Sequence, residues 1–240
     1  MPAVKPQVHL LSISPQGEAI AAMAARICYS PSGFEELKQK VEREPQDEFL
    51  KGVINTGHLS VIEHINFTFG VEGVSRVLLA QLTRHRIASY SVQSQRYVSK
   101  AKGLNYILPP KIAALGEDAI KEYERQMQTM HSWYKEWQEK LEKGEGGNED
   151  ARFVLPNAAE TKLVVTMNAR ELLHFFTLRC CNRAQWEIHF MADEMLKICK
   201  EKMPAVFAKA GPACLRGACP EGKRTCGKIQ EVRKKYLKED

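Results

Sequence analysis

The residues Gln81–Tyr97 (QLTRHRIASYSVQSQRY) gather three arginines, one histidine and three serines among glutamines and tyrosines. Each arginine offers a planar fork of N–H donors that matches phosphate oxygens two at a time. Serine and glutamine add neutral hydrogen bonds suited to a base or a sugar. His85 stands between Arg84 and Arg86, whose charges lower its proton affinity, so it is expected neutral and hydrogen-bonding rather than acidic. A plainer reading is a solvated helix end, where Arg and His favour the C-terminal dipole. Ser94 near a histidine also admits a nucleophile, but no carboxylate is evidently placed to orient the ring.

Arg179 is the second candidate. Its neighbours Phe175, Phe176 and Leu178 argue against free solvation. A guanidinium that stays charged in a site shielded from water favours an anionic partner.

These groups need a scaffold. Val8–Ser14, Ile65–Val74 and Thr161–Met167 alternate as strands, with Phe67, Phe69 and Val71 on one face. Glu18–Cys28, Phe34–Val41, Pro45–Asn55 and Ser75 to about His85 read as helices. Ile87–Ser99 lacks a period and reads as a loop. Pro109–Pro110 opens a long helix, which Gly144, Gly146 and Gly147 end. Its apolar positions Ile120, Tyr123, Met127, Met130, Tyr134, Trp137 and Leu141 form a seam suited to pairing with another helix. Glu171–Cys180 and Ala184–Met203 are further helices, and the chain beyond Pro204 reads as a tail. Mixed strands and helices in this order suggest one α/β or α+β domain.

The chain has 240 residues, 44% hydrophobic and 27% charged, enough for a core without staples. No apolar run is long enough to span a membrane, and no signal segment opens the chain, so a cytoplasmic location is expected. The net charge of +6 suits phosphate-bearing small molecules and nucleic acid alike. Seven cysteines, an odd number, are expected as reduced thiols.

Arg84-His85-Arg86, seven residues and then Ser94 form the RHR-x7-S signature, by which the chain resembles the flavin-dependent thymidylate synthases. His58-Leu59-Ser60 with Glu63-His64 resembles another segment of that family. So do Arg152 with Leu155-Pro156, Asn168-Ala169-Arg170, His174, Leu178-Arg179 and Ala184–Glu187. The resemblance covers residues 8 to 207. It implies domains of 1–207 and a Cys/Lys-rich tail of 208–240. It also implies an α+β fold, one domain with a mixed or antiparallel sheet flanked by helices including one long helix.

The activity implied is methylation of dUMP to dTMP. Methylenetetrahydrofolate is the carbon donor, reduced FAD the hydride source and methylene relay, and NADPH the reductant. The family lacks a cysteine nucleophile, so the protein must bind, orient and stabilise charge. By the same resemblance dUMP contacts fall on Gln81, Leu82, Thr83, Arg84, Ser94, Gln95, Arg96, Arg152 and Arg179. Arg179 is the catalytic residue, facing the uracil and stabilising the charge left as N3 loses its proton. FAD contacts fall on Ser60, Arg84, His85, Arg86, Asn168, Arg170 and His174, with His58 near flavin and folate. A homotetramer with shared active sites is implied. No G-x-G-x-x-G loop follows a strand, so FAD is not held by a Rossmann fingerprint.

Two departures stand out: Val92 where many relatives carry Glu, and His174 where others carry Asn. A nucleic-acid module using Arg84, Arg86, Arg96 and Lys100 with Tyr90 and Tyr97 is a competing class. It leaves Asn168–Arg170 and Arg179 unexplained, so neither nucleic acid nor membrane is expected as a partner. A different flavin enzyme is a third reading. Cys214, Cys219 and Cys226 fall one ligand short of a zinc site, and Cys199 would have to complete it from a helix. No metal is expected, and Cys180 and Cys181 are expected to pack on the core.

Overall fold

A computed structural model of the chain describes residues 2–141 and 144–237. Four strands form one open antiparallel sheet flanked by helices, an α+β fold with one long helix. They are β1 (Gln7–Ile13), β2 (Asn66–Ser75), β3 (Ala88–Val92) and β4 (Glu160–Asn168), in the order β1-β2-β4-β3.

The chain divides into two compact units. One takes Met1–Gln7, Gly70–Arg84 and Tyr90–Val164; the other takes Val8–Phe69, His85–Ser89 and Val165–Asp240. The first holds α4 (Arg76–Leu82), α5 (Pro110–Ala113), α6 (Glu117–Lys140) and α7 (Glu145–Ala151). Leu78, Leu82, Leu104 and Tyr134 are wholly buried in it. Within β2, Gly73 has a positive φ of 67°, and an added Cβ would come 2.1 Å from the Lys5 carbonyl oxygen. Only glycine tolerates that approach.

The second unit holds α1 (Gly17–Ile27), α2 (Phe34–Arg43), α3 (Asp47–Asn55), α8 (Ala169–Arg179), α9 (Trp186–Lys202), α10 (Pro204–Phe207) and α11 (Ile229–Tyr236). Phe67 and Phe69 point inward from β2, as their alternation predicts, and Phe207 meets Phe67 edge-on at 5.5 Å. Thr68 and Thr166 join their hydroxyls across β2 and β4 at 2.9 Å.

Three expectations give way. The stretch expected as a loop contains β3, in which Ala88, Tyr90 and Val92 are half-buried and the serines between them exposed. Small and polar residues on an edge strand concealed that period of two. The long helix starts at Glu117, because Gly116, at φ 101°, breaks it from the short α5. It stops at Lys140, and Gly146 and Gly147 lie inside α7. Its seam faces its own core at Met127 and Tyr134, while Trp133 and Trp137 stay about half exposed.

Residues 204–237 also form α10, α11 and 3-10 turns at Ala213–Leu215 and Gly222–Arg224. Val232 and Tyr236, one helical turn apart, bury the inner face of α11. Lys235 and Tyr236 both reach the carboxylate of Asp193 on α9. Burial works to raise the Asp193 carboxyl, but hydrogen bonds from His189, Lys235 and Tyr236 overcome it and hold it at about 2. Cys180 is buried as expected; Cys181 is only half-buried.

Candidate functional site

In the second unit α8 starts at Asn168, whose side-chain oxygen accepts the backbone N–H of Glu171 at 2.8 Å. That cap fixes the first turn. It sets Glu171 facing inward, where Oε1 lies 2.9 Å from Nδ1 of the buried His85. About two turns further along the same face of α8, Arg179 brings Nε within 3.0 Å of His85 Nε2.

The proton positions follow from donor chemistry. A guanidinium N–H can only donate, so Nε2 accepts and the ring proton sits on Nδ1, donating to Glu171. His85 is therefore neutral. Burial pushes its pKa below 6.5; the Glu171 hydrogen bond works upward against the charges of Arg179 and His174. The sequence also predicts a neutral ring, but from Arg84 and Arg86. Burial and the distant Arg179 are the actual causes.

Glu171 is the residue that sequence reasoning missed, and it supplies the orienting carboxylate. The pattern Asn168-x-x-Glu171 is a helix-start signal, yet nothing local ties it to His85. The exposed His174 ring lies 5.9 Å from that of His85. His85, Glu171 and His174 gather ligand atoms within 4.8 Å. They make a poor cation site, because the Nε2 lone pair of His85 is committed to a guanidinium that itself repels cations.

The residues expected at the cofactor are divided. Asn168, Arg170 and His174 line a cleft of about 850 Å³ with apolar Ile54, Leu59 and Leu173 and the cations Lys209 and Arg216. Arg170 is paired with Glu63. His58 and Ser60, both exposed, line a second cleft of about 430 Å³ with Tyr29 and Lys40. Arg86 is exposed beside His85 in sequence, and Arg84 belongs to the other unit.

The residues expected at the substrate all fall in the first unit, Arg179 excepted. Leu82 is core, and its carbonyl accepts from the Tyr90 hydroxyl at 2.9 Å. Thr83 bonds back to the Leu79 carbonyl. Ser94 accepts the Arg96 backbone N–H at 3.1 Å, and Gln81 and Gln95 are half-buried. Arg96 pairs with Glu145 at 2.7 Å and Glu149 at 2.8 Å. Arg152 donates to the Glu149 carbonyl, which brings both arginines to one residue of α7.

Two further cations join this unit's group. Burial and the charge of Arg152 lower the pKa of Arg76. Burial also lowers that of Lys100, against Glu160 and with Lys162 and Arg76. Cations crowded in this way favour an anion among them. A sequence signal existed for Arg76. It is the first residue of α4, after the cap Ser75, where a positive charge opposes the helix dipole.

The first class these features define is an α+β protein with one group of crowded cations and a cleft lined by amide, imidazole and guanidinium groups. Comparison with known proteins narrows it. Residues 9–205 match the family model described as thymidylate synthase complementing protein. The flavin-dependent thymidylate synthase of Geobacter sulfurreducens is 49% identical over 96% of this chain and 97% of its own. Those of Clostridium tetani and Nitratidesulfovibrio vulgaris are 46% and 48% identical, over 96% and 95% of this chain and 97% of theirs. The chain belongs to the family of flavin-dependent thymidylate synthases and is an enzyme.

Proposed function

We propose that the chain methylates dUMP at C5, using 5,10-methylenetetrahydrofolate as carbon donor and reduced FAD as hydride source, with NADPH restoring the flavin. Two electrons from NADPH end in the new methyl group, so the folate leaves as tetrahydrofolate. The observation that carries this reading is the chain from the buried Glu171 and His85 to the half-buried Arg179.

The residues of the larger cleft fit the cofactor. Apolar Ile54, Leu59 and Leu173 suit a flat ring system, and Arg170, Lys209 and Arg216 suit its two phosphates. When bound, the reduced flavin supplies the hydride that completes the methyl group. Asn168 and His174 offer it hydrogen bonds. His58 and Ser60, in the second cleft, are assigned to the flavin and folate approach.

The protein's own chemistry is electrostatic. Glu171 holds His85 in one tautomer, and His85 holds Nε of Arg179, which fixes the plane of the fork. Arg179 then stabilises the negative charge left on uracil as N3 loses its proton. Arg84, Arg96 and Arg152 hold the phosphate, while Gln81, Thr83, Ser94 and Gln95 bond the sugar and base, with Leu82 contributing only backbone. A homotetramer in the cytoplasm completes the proposal. Among the described residues no helix is long and apolar enough to cross a membrane.

Tritium release from dUMP labelled at C5, with FAD, NADPH and methylenetetrahydrofolate, tests the reading. Release by the wild type that needs reduced flavin and disappears in Arg179→Ala supports both reaction and site. No release despite bound FAD and dUMP overturns it.

A further inference from the structure

Four thiols in the second unit come together around the end of α8 and the residues after α10. Cys181 follows α8 directly, and its Sγ accepts the backbone N–H of Arg183 at 3.5 Å. The Asn182 amide reaches Cys226 Sγ at 3.8 Å. Arg216 donates to Thr177 Oγ1, on the last turn of α8, at 3.0 Å. Arg233 from α11 clamps the same loop, donating to the carbonyls of Cys214 and Gly217 at 3.1 and 2.9 Å. Positive φ at Gly222 and Gly227 turns the chain sharply beside Cys219 and Cys226.

We propose that Cys181, Cys214, Cys219 and Cys226 are the four ligands of a structural zinc ion. Cys214 and Cys219, separated by four residues, have the spacing of a zinc ligand pair. Cys181 supplies the ligand that the last three cysteines lack. It takes the place expected for Cys199, which is buried within α9. A backbone N–H donated to sulfur, as at Cys181, stabilises a thiolate. Cys214 shows how near the others are. The thiols of Cys219, Cys181 and Cys226 all act on it electrostatically. A divalent cation reverses that repulsion and deprotonates the set.

Charge agrees. Zinc with four thiolates carries two net negative charges, and Arg183, Arg216, Lys223, Arg224 and Lys228 stand within or beside the ligand segments. The other three cysteines lack this setting. Cys180 and Cys199 are buried in the core, and Cys28 lines the smaller cleft. No three of the four sulfurs lie within 4.8 Å of one another as His85, Glu171 and His174 do. Zinc binding must therefore draw the loop inward, which couples metal to the stability of residues 208–237.

Reduced full-length protein, loaded with zinc and freed of loose metal, should hold one ion per chain by elemental analysis. Cys28→Ser should keep it, and Cys219→Ser and Cys226→Ser should lose it. Cobalt in place of zinc should give the visible bands of a tetrahedral tetrathiolate, a readout that needs only the wild type if the variants fail to fold. Zinc should also slow proteolysis after residue 207. The proposal fails if the reduced wild type takes up no zinc, or if the Cys219 and Cys226 variants keep it. It fails equally if cobalt shows nitrogen and oxygen ligands, which would place the ion at His85, Glu171 and His174. Iron with sulfide, or two disulfides that survive the reductant, overturns it as well.

Discussion

The Nε–H of Arg179 donates to Nε2 of His85 over 3.0 Å, a bond that lasts only while that ring nitrogen keeps its lone pair. Protonation of His85 would set two donors against each other. The folded pKa lies below 6.5, so the unfolded chain takes up the proton first as pH falls. The stabilising contribution is full above the unfolded value and is lost as pH drops through the lowered folded one. The urea midpoint should begin to fall as pH drops through 6.5, and kcat should follow at lower pH, where the folded His85 itself takes up the proton. Tritium release and urea titration from pH 6.5 downward would check it. A kcat that declines at or above pH 6.5 while the urea midpoint holds would exclude His85 as the cause.

Glu171→Gln tests how His85 is positioned. The carboxylate raises the proton affinity of His85, so the amide should move the acid limb of the kcat profile to lower pH. Hydrogen bonds to charged groups contribute about 1.5–3 kcal/mol, which corresponds to a fall in kcat of roughly 10- to 100-fold. The KM for dUMP should change little. A general loss of folding would lower activity without moving the limb.

Arg96 meets two carboxylates that a phosphate would have to displace. All three side chains are over 40% exposed, so each ion pair is worth at most about 1 kcal/mol and can be exchanged. Arg96→Ala should raise the KM for dUMP roughly tenfold, the factor that about 1.4 kcal/mol of binding represents. Glu145→Gln should lower that KM modestly. Steady-state kinetics at fixed ionic strength separates the two. A rise in KM for Glu145→Gln would mean that the carboxylate helps to place the arginine.

Asp193 holds α11. Asp193→Asn removes the charge that Lys235, His189 and Tyr236 share, and should cost about 1–3 kcal/mol in urea unfolding. The Asp193 carboxyl is held at about 2, so its contribution is present above the unfolded value of 3.8 and lost as pH falls through 2. Tyr236→Phe should show a smaller loss that also fades on acidification, because the phenol is one of the groups that hold the Asp193 carboxyl low.

The strands most legible in the sequence were those with large alternating residues. Phe67, Phe69 and Val71 announced β2, whereas Ala88, Ser89 and Ser91 gave β3 no contrast. The start of α6 was blurred because Pro110 does open a helix, one that Gly116 stops after a single turn. In α11 the lysines and arginines obscured the pair Val232 and Tyr236. The site was legible where a residue carries unusual chemistry in sequence, as at Arg84-His85-Arg86. Glu171 was hidden because its partner is 86 residues away. Tertiary pairing at that distance leaves no local trace.

The second unit is assembled from stretches far apart in sequence. Glu63 waits for Arg170, 107 residues on, and Thr68 for Thr166, 98 residues on. Ile65 likewise waits for Ala169, whose N–H meets its carbonyl at 2.8 Å. Closing such loops costs entropy before any contact rewards it, and folding slows as contacts become less local. On the ribosome Val8–Phe69 must therefore emerge and wait for part of its partners until Val165 and beyond have been made. Its buried phenylalanines stay exposed to the cell for that interval, which makes this stretch the one for a chaperone to hold.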